Sequence, residues 1–290
     1  MRISYWPSSV ALNGAEPYNA FLDSLKSAGY TPVKEDMSAD AAVIWSVLWH
    51  GRMSANKSVW DAYTSNNRPV IVLEVGGIKR GTTWKVGLNG INRDAYFGPS
   101  DNDNTRAEHL GLRLGDWRKS GEYILICGQH DKSLQWQNMP RMSNWFLETY
   151  DTIRKHTDRP IVFRPHPRCR LEHIESGLKY VYRQDPMHIG GTYDDFDMGF
   201  DNVYCTVSWS SNPGIHSVID GVPAIVGPSS LAYDVAGHDL NLIEYTQTPD
   251  RTQWLNDYAW TEYTVEEIAE GLPLSRLGQA FHTNIINAMI

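Results

Sequence analysis

The sequence predicts an α/β protein built as two Rossmann-like halves facing each other across a cleft. Two observations carry that expectation. Short apolar runs alternate with helix-patterned segments over residues 1–75, and the rhythm restarts at residue 121. Several of these runs end in loops loaded with glycine or polar residues, "LEVGGIKR", "CGQH", "RPHPR" and "SWSSNPG". Alternation of this kind gives a parallel sheet with helices on its faces, and such sheets bind ligands at the carboxyl ends of their strands.

Taken in order, "MRISYWP" reads as a first strand. "EPYNAFLDSLKSAGY" follows as a helix with Tyr18, Phe21, Leu22 and Leu25 on one face and Gly29 as its stop. "AAVIWSVLW" is a buried strand, "NKSVWDAYTSNN" a helix and "RPVIVLEVGG" a strand. Residues 76–120, rich in Gly, Asn, Asp and Arg, show little periodicity. "GEYILICGQHDK" then begins a second series: the helix "MSNWFLETYDTIRKHT", the strands "RPIVFRPHP", "LKYVYR" and "NVYCTVSWS", a helix opening at "SSNPGIHSVIDG" and a last strand "VPAIVG". "TVEEIAEG" and "PLSRLGQAFHTNIINAMI" are helical. The expected domains are 1–118, binding the acceptor, and 119–290, binding the donor, with the terminal helices packing back on the first.

A chain of 290 residues suits one large domain or two of about 100–200 residues each. Hydrophobic residues make up 41% and charged residues 21%, a globular balance. The net charge of −8 disfavours a generally basic nucleic-acid binder but leaves room for a local basic patch. Cys127, Cys169 and Cys205 lie far apart with no C-x-x-C spacing, so no disulfide framework is expected. With no signal peptide and no run of about 20 apolar residues, the expectation is a cytoplasmic protein without a membrane span.

Two segments carry the strongest chemistry. "SSNPGIHSVIDGVP" follows an apolar strand and puts Ser210 and Ser211 at a helix N-cap, with Asn212, Pro213 and Gly214 in the first turn. A helix start offers N–H groups and a positive dipole, and serine hydroxyls add donors, which suits a phosphate or diphosphate. "IVFRPHPRCR" stops a strand on a histidine fixed by two prolines. Strand alternation would put Arg164 and His166 on one side, aimed at a departing phosphate. Arg168 and Arg170 receive no assignment. In "CGQH", Gly128 and Gln129 would border the donor.

Glu74 ends an otherwise apolar strand and is the candidate carboxylate of the first half. Between Val75 and Arg93 there are four basic residues, Lys79, Arg80, Lys85 and Arg93, and no acid. With Trp84 as a stacking residue, this loop is the expected acceptor surface. Asp195-Phe196-Asp197 is a D-x-D that would suit Mg²⁺ or Mn²⁺, but it precedes a strand and so lies at the wrong edge of a sheet. No metal site is expected. No G-x-G-x-x-G, P-loop, G-x-S-x-G or H-E-x-x-H pattern occurs.

An apolar strand ending "RPHP" and a later strand followed by "SS" resemble the His-Pro and Ser-Ser/Thr motifs of two-domain GT-B glycosyltransferases. The capsule Kdo transferases and bacterial sialyltransferases are the likest. "TVSWSSNPGIHSVIDGVPAIV" follows that pattern, and "LEVGGIKRGTTWKVGLN" is similar to the Glu-x-Gly segment of the Kdo transferases. The resemblance implies a nucleotide-sugar co-substrate, UDP- or CMP-linked, held by the C-terminal half with His166, Ser210 and Ser211 on its phosphate. It puts Glu74 where the family keeps catalytic carboxylates. The family's second acid is Val75 here, which leaves the sugar and the stereochemical outcome open. A looser likeness is to small phage enzymes that glycosylate hydroxymethylated pyrimidines, which implies double-stranded DNA with modified bases as a partner. The expected activity is therefore glycosyl transfer to an acceptor hydroxyl, on such a base in first place. A bacterial surface-glycan transferase and a non-catalytic nucleotide-sugar-binding protein are the alternatives.

Overall fold

The computed structural model describes residues 1–169, 171–192 and 195–289. It comprises two compact units, residues 1–106 with 257–290, and residues 107–256. Residues 107–118, grouped with the first half on sequence, thus cluster with the second. Hydrogen bonds from Gly115 N to Ile219 O (2.8 Å) and from Arg118 N to Gly221 O (2.7 Å) hold them there.

The elements run β1 (Arg2–Tyr5), α1 (Ala15–Ser27), β2 (Thr31–Lys34), β3 (Ala41–Trp45), α2 (Asn56–Thr64), β4 (Val70–Val75), β5 (Trp84–Leu88) and α3 (Thr105–His109). Next come β6 (Tyr123–Cys127), α4 (Met142–Arg154), β7 (Ile161–Arg164), β8 (Val181–Arg183), β9 (Val203–Ser208), α5 (Asn212–Ile219), β10 (Ala224–Val226) and α6 (Thr252–Tyr258). The chain then adds β11 (Glu262–Tyr263), α7 (Val265–Ala269) and α8 (Leu272–Met289) to the first unit.

The first sheet has the order β11-β5-β4-β3-β1-β2. Strands β2, β1, β3 and β4 are parallel, β5 runs antiparallel to β4, and β11 pairs antiparallel with β5 and so regains the direction of the first four. Its face toward α1, α7 and α8 is apolar at every second position: Ala41, Val43 and Trp45 on β3, Ile71 and Leu73 on β4, Trp84, Val86 and Leu88 on β5. Tyr18, Phe21, Leu22 and Leu25 of α1 meet that face, as their helical spacing predicts, beside Leu274, Leu277, Phe281 and Ile285 of α8. Burying one such side chain contributes about 1.5–3 kcal/mol.

The second sheet is wholly parallel, in the order β10-β9-β6-β7-β8. Its core holds Ile124, Ile126, Phe163 and Val207 against Phe146, Tyr150 and Ile153 of α4. Leu125, Cys127 and Val203 form a smaller cluster with Phe200 and Val222. Burial pushes the Cys127 thiol up to about 12, with Arg164 pulling the other way, so it remains a neutral apolar group.

Two expectations change. The apolar run from Ala41 to Trp49 is not one strand, because Ser46 adopts φ 65° and turns the chain after Trp45. The stretch 76–120 contains β5 and α3. In β5, Lys85 and Gly87 interrupt the apolar residues and conceal a period of two. No helix among the described residues is long and apolar enough to cross a membrane.

The Tyr18 hydroxyl joins α1 to two strand ends. It donates to Val43 O (2.7 Å) and accepts from Trp6 N (2.9 Å), on a residue only 1% exposed. Tyr18→Phe removes both bonds, one of them buried and one part-buried. Urea denaturation should show a loss of about 1–3 kcal/mol.

Candidate functional site

In the second sheet β9, β6 and β7 are neighbours and parallel, so the loops that follow them meet at one carboxyl edge. These loops carry Gly128 to His130, Pro165 to Arg168, and Trp209 to Asn212. Gly128 N donates to Arg164 O (2.9 Å), which fastens the first loop to the end of β7. A Cβ on Gly128 would meet His166 N at 3.4 Å and Pro165 Cα at 3.5 Å, so this glycine faces its neighbouring loop. Gln129 is buried, and its Oε1 accepts from Ser210 N (2.9 Å) and Ser210 Oγ (3.1 Å). Gln129 and Ser210 therefore bond each other and lock the β6 and β9 loops together.

The histidine between the prolines sits with its ring edge-on to His130, centroids 5.6 Å apart at 73°. Its Nδ1 accepts from Arg168 N (3.1 Å). A neutral His166 ring thus carries its proton on Nε2. Arg168 serves this motif through its backbone, a contribution its charge did not signal. Arg170 lies outside the described residues.

Arg164 is 6% exposed. Its Nε and Nη2 donate to Gln184 Oε1 (3.1 and 2.7 Å), and Nη2 also reaches Gly199 O (2.9 Å). Nη1 is buried without a hydrogen-bond partner. Most of this guanidinium is thus spent on the protein, and one nitrogen is left over. The strand ends at Arg164, so the alternation expected to align it with His166 does not extend that far.

Ser211 is the N-cap of α5, yet its side chain makes no capping bond. Position N2 is Pro213, which has no N–H to offer, and Gly214 N instead bonds Ser211 O (3.1 Å). Ser211 Oγ is buried without a hydrogen-bond partner. Asn212 is the first helical residue. Gly214 serves the packing, since a Cβ there would collide with Ser208 Oγ and approach Val226 Cγ1 at 3.2 Å. Its absent side chain lets α5 lie close on β9 and β10.

The first sheet has its own polar row. Glu74 lies opposite Lys85, and Lys85 lies opposite Glu262, across β4, β5 and β11. Directly opposed residues share a face, with Cβ atoms about 4.5–5.5 Å apart. Alternation puts all three on the face away from the apolar core, and Ser46, next after Trp45, donates its hydroxyl to Glu74 Oε2. Glu74 Oε1 accepts from Val75 N (2.8 Å).

Glu262 is fully buried. It accepts from Gly77 N (2.6 Å), Ile78 N (2.9 Å) and Thr83 Oγ1 (2.7 Å), and so shapes the loop that follows Glu74. Gly76 is required in that loop, since a Cβ would run into Thr83 O and Glu262 Oε2. Burial lowers the pKa of Lys85, against the pull of Glu262 and Glu74 and with help from Arg80.

The expected acceptor loop is reordered by β5. Lys79 and Arg93 are exposed and Arg80 is half-buried. Trp84 and Lys85 are 5% and 4% exposed and present no acceptor surface, contrary to the sequence expectation. The pleat sends Trp84 into the core against Trp45 (centroids 5.8 Å apart) and Lys85 to the opposite face between two carboxylates. Asp195 and Asp197, before β9, accept from the nearby Phe196 N (3.0 Å) and Gly199 N (2.9 Å). Among the described residues no group of three or more His, Cys, Asp or Glu side chains is placed to hold a metal ion.

Sequence reasoning did not single out Ser46, His130, Gln184 or Glu262. Each acquires its place through a tertiary partner, and only Ser46, a polar residue inside an apolar run, carries a local signal.

Two Rossmann-like units, with these loops at the carboxyl edges of their sheets, give the chain a GT-B-like fold. Among solved structures it is similar to Thermosulfurimonas dismutans KpsC, a β-Kdo 2,4 transferase, with TM-score 0.50 and 12% identity over 94% of this chain and 98% of that one. The β-Kdo 2,7 transferase of the same KpsC gives TM-score 0.48 and 15% identity over 95% and 99%. The S. aureus MnaA–UDP co-structure gives 0.33 and 10% over 99% and 98%. No protein-family model matches the chain, and no curated protein does. At these identities the likeness is one of fold.

The packing role of Gly214 is directly testable. Gly214→Ala should cost about 1–3 kcal/mol in thermal or urea denaturation, since the new methyl must displace Ser208 or lift α5 off the sheet.

Proposed function

We propose that the chain is a nucleotide-sugar-dependent glycosyltransferase, its second unit taking the donor and its first acting on the acceptor hydroxyl. One observation carries the reading. At the carboxyl edge of the second sheet, Ser211 Oγ, at the start of α5, and Arg164 Nη1, on the last residue of β7, are buried polar atoms without a hydrogen-bond partner, and the loop after β7 also bears His166. A buried unsatisfied group costs about 1–3 kcal/mol, a cost that a ligand's oxygens would remove. A hydroxyl, a guanidinium, an imidazole N–H and a helix N-terminus are together the chemistry of phosphate recognition. The donor is UDP- or CMP-linked on this reading.

In the proposed reaction the acceptor oxygen attacks the anomeric carbon as the bond from that carbon to the phosphate oxygen breaks. The electron pair leaves with the phosphate, whose growing charge falls to His166, Arg164 and the start of α5. Glu74 takes the proton of the attacking hydroxyl. The hydrogen bonds from Ser46 and Val75 N hold its carboxylate in place for that role.

A sugar hydroxyl, as in a bacterial surface glycan of the Kdo type, is the acceptor favoured here. Burial of Trp84 and Lys85 takes away the stacking residue and one cation on which a DNA acceptor would rely. Lys79 and Arg93, both exposed, are what support a hydroxymethylated pyrimidine in DNA. A mass-spectrometric screen separates the two: wild-type protein is given CMP- and UDP-sugars with either an oligosaccharide panel or a hydroxymethylated oligonucleotide. A mass gain in the oligosaccharides is expected; a gain only in the oligonucleotide would overturn the glycan acceptor, and none in either would overturn the activity.

The residue assignments separate binding from chemistry. Glu74→Gln should lower transfer by about 10²–10⁴-fold and leave CMP and UDP affinity, measured by calorimetry, unchanged. Ser211→Ala should weaken nucleotide binding by about tenfold without lowering Tm, because its hydroxyl bonds nothing in the protein. Intact turnover in Glu74→Gln would remove Glu74 from the mechanism.

A further inference from the structure

The proposed chemistry makes no use of Lys85, although a fully buried lysine between two carboxylates is an expensive arrangement. An uncompensated charge in such a place costs several kcal/mol, so a lysine there is kept only with partners. The register sets two carboxylates beside it, Glu74 on one strand and Glu262 on the other, directly opposed on one face of the sheet, and the charge of both favours the protonated lysine. Glu262 comes from β11, contributed by the segment that returns to the first unit after the second. Its carboxylate is already bound by Gly77 N, Ile78 N and Thr83 Oγ1, so its position is fixed.

We propose that Lys85 is the positioning residue of Glu74, and that its charge, secured by Glu262, ties the orientation of the Glu74 carboxylate to the loop 76–83. This deepens the reading of Glu74 as the carboxylate that acts on the acceptor. The charged form of Lys85 is the competent one. Without its proton, Lys85 no longer attracts either carboxylate, and the row from Ser46 to Glu262 loses the cation at its centre. The groups that face it are Glu74 from β4, Glu262 from β11 and Arg80 from the loop, with Tyr258 near Glu262. Burial and Arg80 favour loss of the proton, and the two carboxylates oppose it. Transfer should therefore fall on the alkaline side, at a pH below the ordinary lysine range.

Two measurements on the full-length protein test this. The first needs no turnover. In protein labelled with ¹³C-lysine, the Lys85 side-chain resonance should titrate below those of the other lysines, and Glu262→Gln should lower its midpoint by a further unit or so, at about the size expected for losing a close opposite charge. Glutamine keeps an acceptor oxygen for Ile78 N and Thr83 Oγ1 but sets its amide NH₂ against Gly77 N, so circular dichroism checks the fold of the variant, and Glu74→Gln, which removes the other counter-charge, should lower the midpoint in the same direction. Lys85 titrating with the surface lysines, or unmoved by Glu262→Gln, would overturn the coupling.

The second is the pH profile of sugar transfer. Lys85→Arg keeps a charge that does not titrate, so it should restore the transfer lost in Lys85→Met by about tenfold or more and move the alkaline limb upward by at least about one unit. An unchanged limb in Lys85→Arg overturns the inference while leaving the transferase reading intact. Absence of any transfer by the wild type overturns the transferase reading, and the lysine titration still decides the coupling.

Discussion

The carboxylate of Glu262 is the point on which the carboxyl edge of the first sheet depends. It is fully buried, and it takes two backbone N–H groups and a threonine hydroxyl from a loop nearly two hundred residues earlier in the chain. Those bonds fasten a loop that Gly76 lets pass hard against the strand pair. The same carboxylate gives Lys85 a counter-charge, and Lys85 lies opposite Glu74. One carboxylate therefore shapes the loop and stands across from the buried Lys85, which in turn lies opposite the proposed catalytic Glu74. Arg106 secures it from behind, donating to Glu262 O (2.6 Å) and pairing with Glu267, whose side chain caps α7 with Thr264.

The second unit solves a different problem with different means. Its strand ends are joined by neutral hydrogen bonds, Gln129 to Ser210 and Gly128 to Arg164 O, and by the packed rings of His130 and His166. Rigid loops of this kind leave a few polar atoms over, Ser211 Oγ and Arg164 Nη1 among them. Both are donors suited to an anionic oxygen, and the proposed phosphate site uses them in that way. On this view the two units divide the work, one holding phosphate through donors and the other holding a hydroxyl through a carboxylate.

Much of the fold was legible because its signals are local. The face of α1 follows from helical spacing, and the strands that precede "CGQH", "RPHP" and "SSNPG" follow from apolar runs cut short by glycine and proline. The site was legible only in part. Glu74, His166 and Ser211 stand at strand or helix ends that the sequence marks, but what they touch is set by register and by distant segments. Trp84 and Lys85 show the limit: neighbours in a basic, glycine-rich stretch, they read as one exposed loop until a pairing with β4 turns them to opposite faces. Glu262 carried no signal, since nothing near "WTEYT" tells of amides at Gly77 and Ile78. Gly214 and Gln129 were marked as important for ligand contact, and their observed partners are in the protein itself.

The claim at the centre of this account is that the carboxyl edge of the second sheet receives a nucleotide phosphate. Amide chemical-shift mapping of ¹⁵N-labelled wild-type protein with CMP and with UDP tests it most directly. The largest shifts should fall on Gly128 to His130, on His166 and Arg168, and on Ser210, Ser211, Asn212 and Gly214. Shifts concentrated elsewhere, or none with either nucleotide at millimolar concentration, would contradict it.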